Sequence, residues 1–247
     1  MLSIDKQTKN GRPIAKIINK ETGKTKEYVY VDEDYEKGES IINLTKNYKF
    51  IPLASDRVTY LAAPSGCGKS YLVGQMLKEI RKKDKDIPIF IFSPFEEDKS
   101  LDQASGLEYI KCDETLLNEP IDVQKSFVNC VVVFDDIESV DNLRVVKKLR
   151  ELRDQTLEIG RHFNTKVIAT NHLISDYKNT RKLLNESQAV IIYPKGNSYH
   201  NKKYLKHHCG LDDKQCNQIL NCNSRYLFIH KTHPQYFITE QSIFLLS

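Results

Sequence analysis

The sequence predicts an α/β protein with a mainly parallel central sheet flanked by helices. From residue 58 onwards, strand and helix patterns alternate along the chain, which is typical of a sheet built from parallel strands. A glycine-rich segment at 63–70 lies between the first of these strands and the first helix. With 247 residues, the chain is long enough to bury a sizeable core. We therefore expect one α/β core with additional segments at both ends.

The N-terminal segment, residues 1–54, is predicted to be an accessory β segment. Two strand patterns, Pro13–Ile18 and Lys26–Val31, flank the turn-forming sequence Glu21–Lys24 and so predict a hairpin. The charged stretch Asp32–Glu39 is predicted to be a solvated loop.

The segment 63–70, Ala-Pro-Ser-Gly-Cys-Gly-Lys-Ser, has the pattern of a P-loop (Walker A), between a strand at 58–62 and a helix at 69–83. Such a loop binds the phosphates of a nucleoside triphosphate through backbone N–H groups and the positive end of the helix dipole. Lys69 is expected to neutralise the β- and γ-phosphates, and Ser70 to offer its hydroxyl to Mg²⁺. The predicted nucleotide-binding residues are Ala63, Pro64, Ser65, Gly66, Cys67, Gly68, Lys69, Ser70 and Tyr71.

A second motif, of the Walker B type, ends the strand predicted at 130–135. Its sequence, Cys-Val-Val-Val-Phe-Asp-Asp, is an apolar run that finishes in two carboxylates. Asp135 is predicted to hold the Mg²⁺ shell and Asp136 to polarise the attacking water. Glu138, in the same loop, is the alternative general base.

With two further predicted strands, the chain resembles the additional-strand class of P-loop ATPases, which hydrolyse with an acidic base and a polar sensor. One is predicted at 87–92, between the first helix and the Walker B strand, and the other at 165–170. Asn171, at the end of the latter, is predicted to orient water or detect the γ-phosphate. Alternatively, it caps the helix predicted at 174–185. The guanine-reading N-K-x-D pattern is absent from this point of the sequence, which favours ATP over GTP.

A long helix is predicted at 141–160, and Arg161 follows it directly. Arg161 is a candidate to reach the γ-phosphate held by a neighbouring subunit and stabilise the charge of the transition state. The alternative is that it caps the C-terminus of its own helix.

The C-terminal segment, residues 196–247, is predicted to extend the same domain. A strand at 189–193 precedes it, and helices are predicted at 198–208 and 212–220. Two β-rich runs, Tyr226–Ile229 and Tyr236–Ile238, are predicted to form a terminal hairpin or edge strands.

Composition limits the function classes. The net charge is +4, so bulk charge does not by itself demand a nucleic-acid partner. No apolar run approaches the length of a membrane span, and the first residues lack a signal-peptide pattern. The six cysteines are scattered, which suits reduced thiols. These observations predict an intracellular protein.

Three motifs together resemble the genome-packaging ATPases of large DNA viruses and virophages, in the FtsK–HerA superfamily of ring-forming DNA pumps. They are the segments 63–70, 131–136 and 160–171. The resemblance covers about residues 55–195. Ala63 departs from the first loop glycine, and Asn171 stands where many relatives have glutamine.

The resemblance implies a homo-oligomeric ring that hydrolyses ATP between subunits around double-stranded DNA, with capsid or portal-vertex proteins as partners. It places the ATPase core at 55–195, between the two accessory segments, and the protein in the host cytoplasm, a virus factory or the virion. The basic, aromatic stretch 199–208 then becomes the candidate DNA contact, through Lys202, Lys203 and Lys206. The alternative for this stretch is a solvated amphipathic helix.

The leading hypothesis is an ATP-hydrolysing motor that moves double-stranded DNA into a capsid. Two alternatives stay open at the level of sequence. One is a P-loop kinase for a small acceptor, and the other is a nucleotide-gated assembly protein with little turnover.

Overall fold

The computed structural model describes residues 1–4, 11–32, 40–54, 56–118 and 120–245, with the backbone alone at 177 and 178. The chain divides into two compact units, residues 1–55 with 189–247, and residues 56–188. The loop predicted at 32–39 lies outside the described residues, except for Asp32. The domain boundaries given above for the core stay a prediction.

The N-terminal part of the first unit is a set of short strands. They are β1 (Leu2–Ser3), β2 (Arg12–Asn19), β3 (Thr25–Val31), β4 (Ile41–Asn43) and β5 (Tyr48–Pro52). Four of them form an antiparallel sheet in the order β1-β3-β2-β5. The predicted hairpin is confirmed as β2 and β3, and its turn contains Gly23 at φ +66°.

The second unit is an α/β layer. Its strands are β6 (Val58–Ala62), β7 (Ile89–Ser93), β8 (Leu107–Lys111), β9 (Val131–Phe134) and β10 (Lys166–Asn171). Its helices are α1 (Lys69–Lys83), α2 (Thr115–Asn118), α3 (Val123–Ser126), α4 (Leu143–Ile159) and α5 (Tyr177–Glu186). Short 3₁₀ turns occupy Ile137–Ser139 and Gly160–Phe163.

The five strands of this unit are parallel, in the order β6-β10-β9-β7-β8. Strand β10 lies between the P-loop strand β6 and the Walker B strand β9, so the additional-strand prediction is confirmed. The carboxyl ends of β6, β9 and β10 therefore meet at one edge of the sheet. The edge strand β8 was not predicted, because its sequence Leu-Glu-Tyr-Ile-Lys mixes apolar and charged residues and so has only a weak apolar pattern. In the structure, none of its residues is fully buried.

Helix α1 packs closely against the segment that follows β7. A Cβ added at Gly74 would lie 2.4 Å from the carbonyl oxygen of Ser100, so only glycine fits at this contact. Gln103 Nε2 donates hydrogen bonds to the carbonyl oxygens of Ser100 (2.8 Å) and Tyr71 (3.1 Å). The segment is thereby attached to the first turns of α1.

The C-terminal part of the first unit comprises β11 (Ala189–Ile192), α6 (Ser198–Cys209), α7 (Asp213–Leu220), β12 (Leu227–His230), β13 (Tyr236–Ile238) and β14 (Ser242–Leu245). The strands form an antiparallel series in the order β4-β14-β13-β12-β11. The predicted hairpin is confirmed as β12 and β13. Both of its strands have neighbours on each side, so neither is an edge strand. Among the described residues, no helix is long and apolar enough to cross a membrane.

Candidate active site

The P-loop connects β6 to α1 with a backbone that requires glycine at two positions. Gly66 and Gly68 have φ of +75° and +93°, and apart from the adjacent residues no atom in the described part of the chain lies within 4 Å of a Cβ built on either. The loop therefore leaves open space beside the N-terminus of a helix, where a phosphate group fits.

Ala63 occupies the loop entrance in a conformation that does not require glycine, since its φ is not positive. Its N–H donates to the carbonyl oxygen of Asn171 (3.1 Å), and its own carbonyl oxygen accepts a hydrogen bond from Lys69 Nζ (2.9 Å). The methyl group is buried. The departure from the usual glycine is therefore accommodated.

Lys69 links the P-loop to the acidic motif. Its side chain is buried, and Nζ lies 3.2 Å from Asp136 Oδ2. His172 Nε2 lies 3.8 Å from the same oxygen. In this structure, the lysine that is predicted to hold the phosphates neutralises the predicted base.

Asp135 and Asp136 follow β9 directly and meet the side chain of Thr170 on β10. The Thr170 hydroxyl donates to Asp135 Oδ1 (2.8 Å) and accepts a hydrogen bond from the N–H of Asp136 (3.0 Å). Asp135 is only 3% exposed, and burial raises its pKa to about 6, although the hydrogen bond from Thr170 opposes the shift. The backbone of Asp136 is left-handed, with φ of +43°.

Glu138 pairs with two arginines on α4. Arg150 Nε lies 2.9 Å from both carboxylate oxygens of Glu138, and its Nη2 also contacts Oε2. The buried Arg153 places Nη1 3.7 Å from Oε1. Arg153 also donates to Asp154 (2.9 Å) and to the carbonyl oxygen of Asn179 (3.0 Å), so it connects α4 to α5.

Asn171 lies at the same edge of the sheet, but its side chain bonds to Tyr60. Burial raises the pKa of Tyr60, and a hydrogen bond from the Asn171 side chain opposes that rise. The Tyr60 hydroxyl in turn donates to the carbonyl oxygen of Leu173 (2.8 Å). Because alternate residues of a strand face opposite sides, Thr170 and not Asn171 faces Asp135. The sensor role of Asn171 stays a prediction.

Arg161 lies at the other end of β10. It belongs to the 3₁₀ turn Gly160–Phe163, which precedes the strand, and its Nε contacts His162 Nε2 at 3.3 Å. The six residues of β10 span about 20 Å, so Arg161 and the P-loop lie at opposite edges of the same sheet. Only a copy of the chain could bring an Arg161 to this P-loop, and that role stays a prediction.

The three lysines predicted to contact DNA lie on α6 in the first unit. Lys202 and Lys206 both pair with Asp213 on α7, at 2.9 and 2.8 Å. Hydrogen bonds from Lys206 and Lys202 lower the pKa of Asp213 to about 2. Lys203 is exposed.

One comparison decides the family. The chain is 32% identical over 246 residues to the uncharacterized protein V3 of Sputnik virophage, and the match covers 97% of this chain and 98% of V3. The chain belongs to the V3 family. No protein-family model matches it.

Solved structures confirm the fold of this V3-family protein. It resembles B204, the DNA-packaging ATPase of Sulfolobus turreted icosahedral virus, with a TM-score of 0.52 and 11% identity over 74% of this chain and 96% of B204. It also resembles the genome-packaging NTPase B204 of Sulfolobus turreted icosahedral virus 2 in complex with AMPPCP. There the TM-score is 0.50, with 12% identity over 76% of this chain and 98% of B204. At these identities, the likeness establishes the P-loop ATPase fold alone.

The V3-family site has a donor set that fits Mg²⁺. Asp135 supplies a carboxylate, and Ser70 supplies a hydroxyl from the first turn of α1. Oxygen ligands of this kind suit Mg²⁺. The buried Asp135 carboxylate, with its raised pKa, is a group that a cation would stabilise in its charged form.

Sequence reasoning missed three residues that the V3-family fold brings to the site, namely Thr170, Arg150 and Arg153. The signal for Thr170 was a polar residue at the end of the apolar run Val167–Ala169. The two arginines gave no signal, because charged residues within a long helix usually lie on its solvent-exposed face.

Proposed function

We propose that this V3-family protein is an ATP-hydrolysing motor that moves double-stranded DNA into a viral capsid. One observation supports ATP hydrolysis. Lys69, Asp135 and Asp136 lie together at the edge of the sheet where the P-loop leads into α1. Support for DNA comes from the fold, which is shared with B204, a DNA-packaging ATPase.

Each residue has a distinct role in the proposed reaction. Lys69 and the P-loop N–H groups hold the phosphates of ATP. Ser70 and Asp135 would hold Mg²⁺, which when bound neutralises charge on the phosphate oxygens. Incoming phosphate oxygens compete with Asp136 for Lys69, because both are anionic partners of one ammonium group. Asp136 is then free to accept the proton of the attacking water.

We assign the general base to Asp136 rather than to Glu138. The Glu138 carboxylate is already bound by Arg150 and lies beside the buried Arg153. An acceptor held by two guanidinium groups has little capacity left for a water proton. Glu138 instead fixes the Walker B loop to α4.

A ring of identical subunits completes the proposal. Arg161 would act on the nucleotide of the neighbouring subunit, since it lies away from the P-loop of its own chain. Duplex DNA would contact α6 through Lys203, and through Lys202 and Lys206 once phosphates displace Asp213. The same proposal includes capsid or portal-vertex proteins as partners. It also places the site of action inside the host cell.

The test is the ATPase rate against added duplex DNA at two salt concentrations, with Asp136→Asn as the variant. We expect DNA to stimulate the rate, more strongly at low salt, and the variant to lose about 10²- to 10⁴-fold in turnover. Turnover that is independent of DNA, with phosphate passed to a small acceptor, would favour a kinase. Nucleotide binding without turnover would favour a gated assembly protein.

A further inference from the structure

The Thr170 side chain bridges both carboxylate residues of the Walker B motif. It is only 1% exposed, and its hydroxyl contacts Asp135 Oδ1 at 2.8 Å, the N–H of Asp136 at 3.0 Å and Asp136 Oδ1 at 3.2 Å. A hydroxyl has one hydrogen to donate and two lone pairs. It therefore donates to one carboxylate at a time and accepts from the Asp136 N–H.

We infer that Thr170 is a positioning residue, whose hydroxyl holds Asp135 in place for the metal and Asp136 in place for the attacking water. The inference rests on the proposed ATPase site, but not on DNA translocation. Asp136 has a left-handed backbone, which is uncommon for residues other than glycine although aspartate tolerates it, so contacts that restrain the backbone here help to keep it. The hydrogen bond that its N–H donates to Thr170 is one such restraint.

A second contact limits the movement of Asp135. Its N–H donates to the carbonyl oxygen of Phe92 (2.8 Å), which fixes the backbone on the β7 side. The hydroxyl of Thr170 fixes the carboxylate on the β10 side. Without the hydroxyl, one oxygen of a buried carboxylate loses its donor, and the side chain is free to rotate away from the metal position.

Thr59 on β6 provides a matched control. It is fully buried in the same sheet, beside Ile168 of β10, and its hydroxyl has no hydrogen-bond partner among the described residues. Replacing Thr59 by valine removes the same atom from the same kind of environment without touching the acidic motif.

The experiment compares Thr170→Val, Thr170→Ser and Thr59→Val with the wild-type chain. Two kinds of measurement are made. One is the affinity for a fluorescent ATP analogue with Mg²⁺ and with EDTA, and the other is the steady-state rate, which gives kcat and KM for ATP. For Thr170→Val, we expect unchanged affinity in EDTA, about a 10- to 100-fold loss of the enhancement by Mg²⁺, and a similar loss in kcat with little change in KM. Thr170→Ser and Thr59→Val should behave as the wild type.

Two results would overturn the inference. One is an undiminished Mg²⁺ enhancement in Thr170→Val, whether or not the wild type hydrolyses ATP. The other is a loss in Thr170→Ser as large as in Thr170→Val, since serine keeps the hydroxyl. Failure of the wild type to turn over ATP contradicts the proposed function alone, because the binding ratio still tests Thr170.

Discussion

Two clusters of charged side chains in this protein differ in how far they are removed from water. In the cluster beside the P-loop, Lys69 and Arg153 are 5% and 2% exposed, and Asp136 and Glu138 are 18% and 23% exposed. In the cluster between α6 and α7, the shared carboxylate of Asp213 is 62% exposed. Buried charges must be paired and hydrogen-bonded, whereas exposed pairs are screened by water. In the buried cluster, the loss of one partner leaves a charge uncompensated, whereas in the exposed cluster water takes the place of the lost partner.

The largest effect is expected at Lys69. Lys69→Ala removes the cation that faces both the phosphate position and Asp136, so hydrolysis should fall by about 10³-fold or more. Phosphate release measured at saturating ATP checks this. Lys78→Ala, on the same helix, serves as the control. Robust hydrolysis by Lys69→Ala would refute the site assignment.

Removing Glu138 should damage stability more than chemistry. Glu138→Gln removes the negative charge between Arg150 and the buried Arg153, which keeps Asp154 as a partner, so we expect the free energy of unfolding to fall by about 1–2 kcal/mol. Urea denaturation measures this, and kcat should fall far less than in Asp136→Asn. Unchanged stability together with abolished turnover would instead make Glu138 the general base.

Asp135 should destabilise the nucleotide-free protein at neutral pH. Its pKa in the folded state is about 6, against an ordinary value of 3.8, so the folded state binds the proton more tightly than the unfolded state. The contribution of Asp135 to stability therefore falls as pH rises from about 4 through 6. Asp135→Asn does not titrate, so at pH 8 it should be more stable than the wild type by about 1–3 kcal/mol.

Melting curves of both proteins at pH 5 and pH 8, without nucleotide, measure this difference. The gain should shrink at pH 5. An equal gain at both values of pH would show that ionisation of Asp135 is not its cause.

The smallest change in stability is expected in the exposed cluster. Asp213→Asn should leave the melting temperature unchanged, because the pairs that it removes lie in water. If α6 contacts DNA, the variant should bind duplex DNA several-fold more tightly, because Lys202 and Lys206 lose a competing anion. Fluorescence anisotropy with labelled duplex at two salt concentrations checks the effect, and Lys203→Ala should act in the opposite direction. Equal DNA affinity in all three proteins would remove α6 from the proposal.

The parts of the site that follow from local sequence were predictable. The P-loop and the Walker B motif each follow a strand directly, so the order of residues places Lys69 at the start of α1 and Asp135 at the end of β9. Thr170 was not predictable in its role, because its contact with Asp135 depends on the pairing of β10 with β9. The pairing of Glu138 with Arg150 joins the 3₁₀ turn at Ile137–Ser139 to α4, and no local sequence pattern indicates this contact.

The elements of the fold also divide into those that local sequence indicates and those that depend on distant segments. Strands β6, β7, β9 and β10 and helices α1, α4 and α5 were predicted, because the strands are apolar runs and the helices have a helical apolar period. The short strands β4, β5 and β14 were not, since three to five residues carry little periodicity and their stability comes from neighbours distant in sequence.

The contact at Gly74 makes α1 and the segment after β7 a single mechanical element. There is no room for a methyl group at Gly74, and Gln103 donates a hydrogen bond to the carbonyl oxygen of Tyr71. The segment is therefore held tightly against the helix. A tilt of α1 that accompanies a change at the P-loop must displace this segment by a comparable amount. Phe95 is exposed near the start of this segment. A motion of α1 can therefore be detected at Phe95, at a distance from the nucleotide site.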